Sequence, residues 1–387
     1  MPSLSLVFTV CAFASGFAMR TIDPLILPIA QRFAVTPATA ALLATAFALP
    51  YALVQPFLGP LGDRFGKARC IRICATVMTM AIAAGAVAPS FGWLLASRLV
   101  AGGFAGGIIP LVLAGLGDAY ALQERQVAMG RMLVVIISGQ MLGSAASGLI
   151  GDAFGWRSAL AVAAAIALLA TASSAWSLRA ASPAANAPAG AAPSFRALYA
   201  QVFANPKAPW LYGAVVCEGA LVCGLFPYVG QLLVAHGGSG VEAAPSQAGL
   251  VLGAFGIGGI LYGLTVRRLI QALGVRRMCA VGSVAVAAVY ALLAWLPAWW
   301  LHVLAMVVCG IGYYMLHNSL QIEATELAPS ARGSAVALFA CGFFVGVGLG
   351  PLLFGALLHA TGFTAALSAI GLGLIVLGRV IVGRVVR

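Results

Sequence analysis

Only nine of the 387 residues are carboxylates, so each acidic side chain can be weighed singly. Two of them, Asp23 and Glu218, fall well inside long apolar runs. An ionised group at the centre of a bilayer costs about 3 kcal/mol by insertion measurements, so its presence there is a functional hypothesis by default. No basic residue neighbours Glu218 in the sequence. A lone carboxyl group in an apolar span favours its neutral form and suits proton carriage; a hydrogen-bonded structural glutamate is the other reading. Asp23 has two candidate cations. Arg20 stands one helical turn before it. Arg98 enters its own run from the other end and lies roughly 8 Å deep at ~1.5 Å per residue, level with Asp23, which makes it the better-placed partner. An Asp–Arg pair that opens on protonation or substrate arrival would link charge to conformation, whereas a static ion pair at the outer interface is the alternative. By the same rise Asp23 lies roughly 28 Å from the inner end of its run and Glu218 about 14 Å, so the two acids do not form one dyad. Tyr313 and His317 share a helix face. With Asn318 they either touch substrate or form a polar helix end.

Other chemistries find no support. The eight cysteines show no metal-ligand spacing and read as small packing residues. No phosphate-cradling loop of the Walker type is present, and no nucleophile–base constellation lies at one depth. Neither a cofactor, a metal nor an enzymatic activity is expected.

The elements that must position these groups follow from composition. Charged residues make up 8% of the chain, against roughly 25% in soluble domains, and hydrophobic residues 62%. A soluble protein could not cover that much apolar surface. The apolar runs are near 20 residues, the length of a membrane-spanning helix, and the chain accommodates roughly twelve. The net charge of +12 invites a nucleic-acid reading. The distribution argues against it. Arg32 and Arg157 fall on one side, Arg20 and Arg98 within spans, and the rest of the 21 Lys and Arg on the other side. That bias marks a cytoplasmic face, with both termini on it, and predicts a multi-pass protein of the inner (plasma) membrane. The first run has no positively charged leader and reads as a span rather than a cleaved signal peptide.

The densest charge lies in Gly59-Pro60-Leu61-Gly62-Asp63-Arg64-Phe65-Gly66-Lys67-Ala68-Arg69, between the second and third runs. The pattern G-x-L-G-D-R-F-G-K in that place resembles the signature loop of the major facilitator superfamily of secondary transporters. Ala68 is the one departure, where the family usually has a second basic residue. The resemblance implies a gating role: the loop Asp63 caps the inner end of span 11 and pairs with basic groups, an anion at a helix N-terminus being stabilised by the dipole. Lys67 or Arg69 can pair with Asp118, Arg64 with an inner-loop acid, and Arg125 joins the same set. Topology-setting charge is the plainer alternative. Arg98 followed by Gly102 is similar to the family's span-4 motif associated with proton coupling. Gly102 and Gly106, and in span 5 Gly139 and Gly143, are small-residue faces on which helices approach closely. Drug/proton antiporters carry G-x-x-x-G-P-x-x-G-G in span 5. Here Ser144 and Ser147 replace Pro and one Gly, and the complete G-x-x-x-G-P step stands in span 11 as Gly346, Gly350 and Pro351.

The chain repeats itself. Gly139, Gly143, Gly155 and Arg125 map 207 residues on to Gly346, Gly350, Gly362 and Arg332, and Gly66 maps to Gly274. The expected spans are 4–28, 38–58, 71–88, 93–117, 131–150 and one ending near 178, then 209–235, 246–266, 278–296, 298–318, 335–359 and 363–382. Residues 179–208 read as a cytoplasmic linker between two six-helix bundles, 1–178 and 209–387. The fold class is an all-α integral membrane protein: twelve transmembrane helices in two six-helix pseudo-repeats, with substrate between the halves. The implied function is proton-coupled efflux of a small, partly hydrophobic organic compound by alternating access. A symporter or facilitator importing an organic anion or sugar is the alternative. The expected partners are that small molecule, protons and the lipid bilayer, with no nucleic acid, and the chain is expected to act as a monomer.

Overall fold

The structure, a computed structural model, describes residues 2–120, 122–177, 195–236 and 244–386. The side chains of 2–5, 59, 60, 63, 122–127, 176–177, 195–196, 236 and 330 lie outside the description. Ten helices among the described residues are long and apolar enough to cross a membrane. Two of these, Pro245–Leu293 and Arg332–Val380, have 49 residues each. At ~1.5 Å per residue each runs about 74 Å, more than twice a ~30 Å hydrocarbon core. Each is broken once, at Gly274 (φ 68°, ψ 163°) and Gly362 (φ 78°, ψ 171°). The breaks divide them into spans 8 and 9 and spans 11 and 12, which gives twelve crossings.

These breaks belong to a set. Among the described residues the positive-φ glycines are Gly66, Gly155, Gly274 and Gly362, two repeat-related pairs. A Cβ at any of the four would meet nothing within 4 Å, so the requirement is dihedral, not steric. An L-residue held in such a region costs about 1–3 kcal/mol. Gly274→Ala is therefore expected to lower unfolding stability by about that amount. Gly263→Ala, on a helical backbone with equally open space, is expected to be neutral. Thermal unfolding of both variants in detergent checks the contrast.

Spans 1 and 7 are discontinuous. Span 1 is helical over Pro2–Arg20, turns through a 3-10 segment at Asp23–Leu25 and resumes at Ile26–Phe33. Span 7 is helical over Ala208–Cys223, has its 3-10 segment at Phe226–Tyr228 and resumes at Val229–His236. Pro24 and Pro227 occupy the second position of the two segments, where a missing N–H interrupts the helical ladder. The two 3-10 segments pack against each other across the halves.

The small-residue faces are backbone contacts, and the two halves use them alike. A Cβ on Gly139 would lie 2.6 Å from the Phe13 carbonyl oxygen, and one on Gly143 would meet that of Phe17 at 2.5 Å. This packs span 5 (Leu122–Phe154) on span 1. In the second half Gly346 meets Val216 and Gly350 meets Ala220 in the same way, span 11 on span 7. Gly102 and Gly106 of span 4 (Phe91–Ala119) stand against the carbonyls of Phe47 and Tyr51 in span 2 (Pro37–Val54), and Gly310 stands against that of Phe255.

The halves close on each other away from the basic face. Spans 5 and 8 touch at Gly148 and Gly249, next to the turn that opens span 8. In span 2, Thr45 Oγ1 donates to the Gly348 carbonyl of span 11 at 2.8 Å.

Several expected boundaries move. Span 10 runs Trp299–Leu327, beyond the expected 318, so Glu323 and Glu326 sit on its last turns rather than past it. The signature segment is helical, Leu58–Phe65 and Lys67–Ala86, with Gly66 alone between; the expected loop is a single-residue corner. Of the expected linker, 179–194 lie outside the described residues. Phe195–Phe203 is a helix whose Val202 is fully buried. Its Tyr199 hydroxyl donates to the Pro56 carbonyl of the first half at 2.9 Å.

Candidate functional site

The break in span 1 leaves carbonyls without i+4 partners, and such groups inside a membrane need other donors. Side chains supply them. Thr21 Oγ1 donates to the Phe17 carbonyl at 2.8 Å, Arg98 Nη1 to that of Ala18 at 3.1 Å, and Ser144 Oγ to that of Arg20 at 3.5 Å. Arg98 also donates through Nε to the Leu43 carbonyl at 3.4 Å, and its guanidinium lies 4.2 Å from the Phe47 ring centre. Arg98 is thus planted on the backbone of spans 1 and 2. Asp23 stays within its electrostatic reach, but the direct partner of Asp23 is Arg20, Nη1 to Oδ2 at 3.4 Å. That corrects the expected Asp23–Arg98 pairing. Equal depth places two side chains on one level, not on facing sides of their helices. Arg98 Nη2 is buried with no hydrogen-bond partner among the described residues.

Arg20 joins the halves. Its Nη2 lies 3.5 Å from Cys223 Sγ, and its guanidinium carbon is 4.6 Å from the Phe226 ring centre. Both residues flank the break of span 7. A void of about 20 Å³, room for one water-sized molecule, lies beside it, lined by Arg20, Gln140, Ser144, Phe226, Phe255 and Tyr314 among others.

Glu218 is fully buried. Its Oε2 lies 2.9 Å from His317 Nδ1, and its Oε1 has no hydrogen-bond partner among the described residues. The acid that the sequence leaves isolated therefore has a titratable neighbour from span 10. Tyr313 stacks on the His317 ring at 5.1 Å between centroids and 20° between planes. Phe343 stands edge-on at 4.7 Å and Phe339 at 5.3 Å. Asn318 Nδ2 donates to the Tyr262 hydroxyl at 3.0 Å, which ties spans 8 and 10 together one residue beyond His317.

At the basic face Lys67 ion-pairs with Asp118, one of the two partners expected for that acid. Gly62 lies against Leu111. Arg64 lies 5.3 Å over the ring of its neighbour Phe65, and Arg69 is exposed. The side chains of Asp63 and Arg125 lie outside the description, as do the surroundings of Gly59. In the second half Arg332 pairs with Glu326 at 3.2 Å and Lys207 with Glu323 at 3.2 Å. Among the described residues no group of three or more His, Cys, Asp or Glu is placed to hold a metal ion.

The residues missed from sequence are Cys223, Gln140 and Ser144. The signal for Cys223 was available: it stands to Pro227 near the break of span 7 as Arg20 stands to Pro24 in span 1.

Twelve crossings in two alike halves, with ionisable groups gathered where two broken helices meet, make this a membrane protein built to move a solute. The chain belongs to the Major Facilitator Superfamily, whose family model matches residues 8–245 and 235–386. Among its relatives, the "Probable sugar efflux transporter" of Helicobacter pylori is 27% identical over 92% of this chain and 88% of its own length. The "Multi-drug resistance efflux pump PmrA homolog" of Lactococcus lactis is 32% identical over 33% of this chain, a stretch spanning 32% of that relative. In structure the chain is similar to a mutant form of the nucleoside transporter NupG, with a TM-score of 0.77 at 16% identity, covering 97% of this chain and 98% of that one. That likeness concerns the fold.

Proposed function

We propose that the protein exports a small, partly hydrophobic organic compound in exchange for protons, by alternating access, with Glu218 and His317 as the proton-carrying pair. The observation that carries this reading is Glu218 itself: a fully buried carboxyl group with one oxygen on an imidazole nitrogen and the other unmet. Such a pair holds or releases one proton without moving its heavy atoms. Both relatives above are efflux proteins by name, which supports export rather than import.

In this mechanism the compound enters from the basic face and packs on the aromatic wall of Tyr313, Phe339 and Phe343. Its binding expels the proton from the Glu218–His317 pair. Closure at the far side, through Gly148–Gly249, Thr45–Gly348 and Arg20 on Cys223 and Phe226, then gives way as the halves rock. The compound leaves, a proton from the far side reloads the pair, and the cycle closes. Asp23 holds Arg20 in the contact that must break, so it acts as the lock rather than the proton carrier. Lys67–Asp118, formed here within the first half, braces the signature segment, and Asp63, Arg64, Arg69 and Arg125 near it in sequence latch the basic face in the opposite state. The protein works as a monomer in the inner (plasma) membrane, with both termini cytoplasmic and bundles 1–178 and 209–387 moving about the 179–208 segment.

The test is proton movement in proteoliposomes loaded with a pH dye, screened against organic cations, anions and sugars. One compound class is expected to dissipate an imposed proton gradient while moving against the proton flow. Co-directional movement would overturn export and establish a symporter for an organic anion or sugar, a reading that the two buried arginines favour. Substrate equilibration with no proton response would overturn coupling altogether.

A further inference from the structure

We propose that the lipid-facing side of spans 9 and 12 at the basic face is a binding site for an anionic phospholipid, whose phosphodiester is held by Arg277 and Arg379 with Arg276 behind them. The packing of the two helices sets the geometry. Gly371 of span 12 approaches the Ala287 carbonyl of span 9, and Gly378 approaches Ser283. Both helices therefore present a defined line to each other. Span 9 leaves the basic face and span 12 returns to it, so they are antiparallel. On span 9 the exposed residues Arg277, Val281 and Val284 recur at four and three residues, one stripe of a helix. On span 12 Leu372, Val376 and Arg379 do the same. In each helix the stripe lies roughly 100–115° round from the contact line, at ~100° per residue. Because the helices are antiparallel, those rotations carry both stripes to the same outer side of the pair. The result is a shallow apolar groove with one guanidinium at the basic end of each wall.

Charge decides what occupies it. Among the described residues neither Arg277 nor Arg379 meets a carboxylate. In the second half Glu218 is engaged by His317, Glu323 by Lys207 and Glu326 by Arg332, and Glu242 lies outside the described residues. Arg276 Nη2 donates to the Val382 carbonyl at 3.2 Å. That bond ties the start of span 9 to the end of span 12 at the mouth of the groove. Apolar stripes below and uncompensated guanidinium groups above match an acyl chain and a phosphodiester. A free anion would use the arginines and leave the stripes idle. A zwitterionic lipid carries its own ammonium and gains less from them.

The test uses the full chain in detergent, titrated with phosphatidylglycerol, with phosphatidylcholine of the same acyl chains, or with inorganic phosphate alone. Lipid adducts are read by native mass spectrometry and stability by thermal unfolding. Phosphatidylglycerol is expected to bind ~10-fold more tightly than phosphatidylcholine, and the double variant R277Q/R379Q to lose that preference. The variant R32Q, at the opposite face, is expected to keep it and serves as the control for general charge loss. Equal retention of phosphatidylglycerol by the wild type and R277Q/R379Q overturns the site. So does stabilisation by inorganic phosphate alone that matches the lipid, since that marks a simple anion contact. Both substitutions lie on exposed side chains, so loss of folding is not expected to obscure the result.

Discussion

Glu218→Gln is expected to abolish proton-driven accumulation while leaving exchange of substrate across the membrane intact. A pH difference of one unit is worth about 1.4 kcal/mol, so one-for-one exchange with a proton concentrates a neutral compound roughly tenfold. Glutamine matches the shape of the protonated carboxyl group and keeps a hydrogen bond to His317 available, but it cannot release a proton. The variant is therefore expected to equilibrate substrate, with an accumulation ratio near one at every imposed gradient. His317→Gln should give a partial defect instead, because it leaves the buried carboxyl group in place but strips its only described partner. Flux of labelled substrate into proteoliposomes at two internal pH values separates the cases. Retention of the full tenfold response by Glu218→Gln removes Glu218 from the mechanism. The same measurement on Asp23→Asn then decides whether the other buried acid carries the proton. The lock assigned to Asp23 predicts a changed rate with unchanged pH dependence.

How far the sequence reaches depends on whether a feature is local. The crossings were legible because each is a contiguous apolar run, and the repeat was legible because glycines are kept wherever backbones touch. Gly139 and Gly143 map to Gly346 and Gly350, and all four carry the same contact onto a broken helix. Gly66, Gly155, Gly274 and Gly362 recur because φ is positive at each, and few residues other than glycine accept that backbone. Depth along a span was also readable from the rise per residue. Rotation about the helix axis was not. Glu218 and His317 are 99 residues apart and meet only when spans 7 and 10 are turned toward each other. The Asp23–Arg98 expectation failed for the same reason. The break in span 1 was missed although Asp23-Pro24 marks it, because a proline in a membrane span is often tolerated without a full interruption. Once the break is seen, the role of Arg98 follows from the carbonyls it leaves open.

That role makes Arg98→Ala the substitution with the largest expected effect on stability. Arg98 is 2% exposed and donates to two carbonyls on different spans, one of them orphaned by the break. Hydrogen bonds from a charged group contribute about 1.5–3 kcal/mol each, and a cation beside the last carbonyls of a helix adds to them. Losing both donors and the volume of the side chain is expected to cost about 3–5 kcal/mol, read as the loss of a cooperative thermal transition or a large fall in its midpoint. Arg98→Lys keeps the charge but offers one ammonium where two forked nitrogens reach in two directions, so an intermediate loss is expected. A counter-ion to Asp23 would behave differently. If balancing Asp23 were its main task, removing the acid as well would relieve the unpaired charge, and D23N/R98A would be more stable than R98A. If Arg98 is the cap of the broken helix, the Ala18 carbonyl stays unmet whatever stands at 23. The double variant should then be no more stable than R98A, and less stable by whatever Asp23 contributes through Arg20. Rescue by Asp23→Asn would return Arg98 to the ion-pair role that depth alone suggested, and would move the lock between the halves from Arg20 to Arg98.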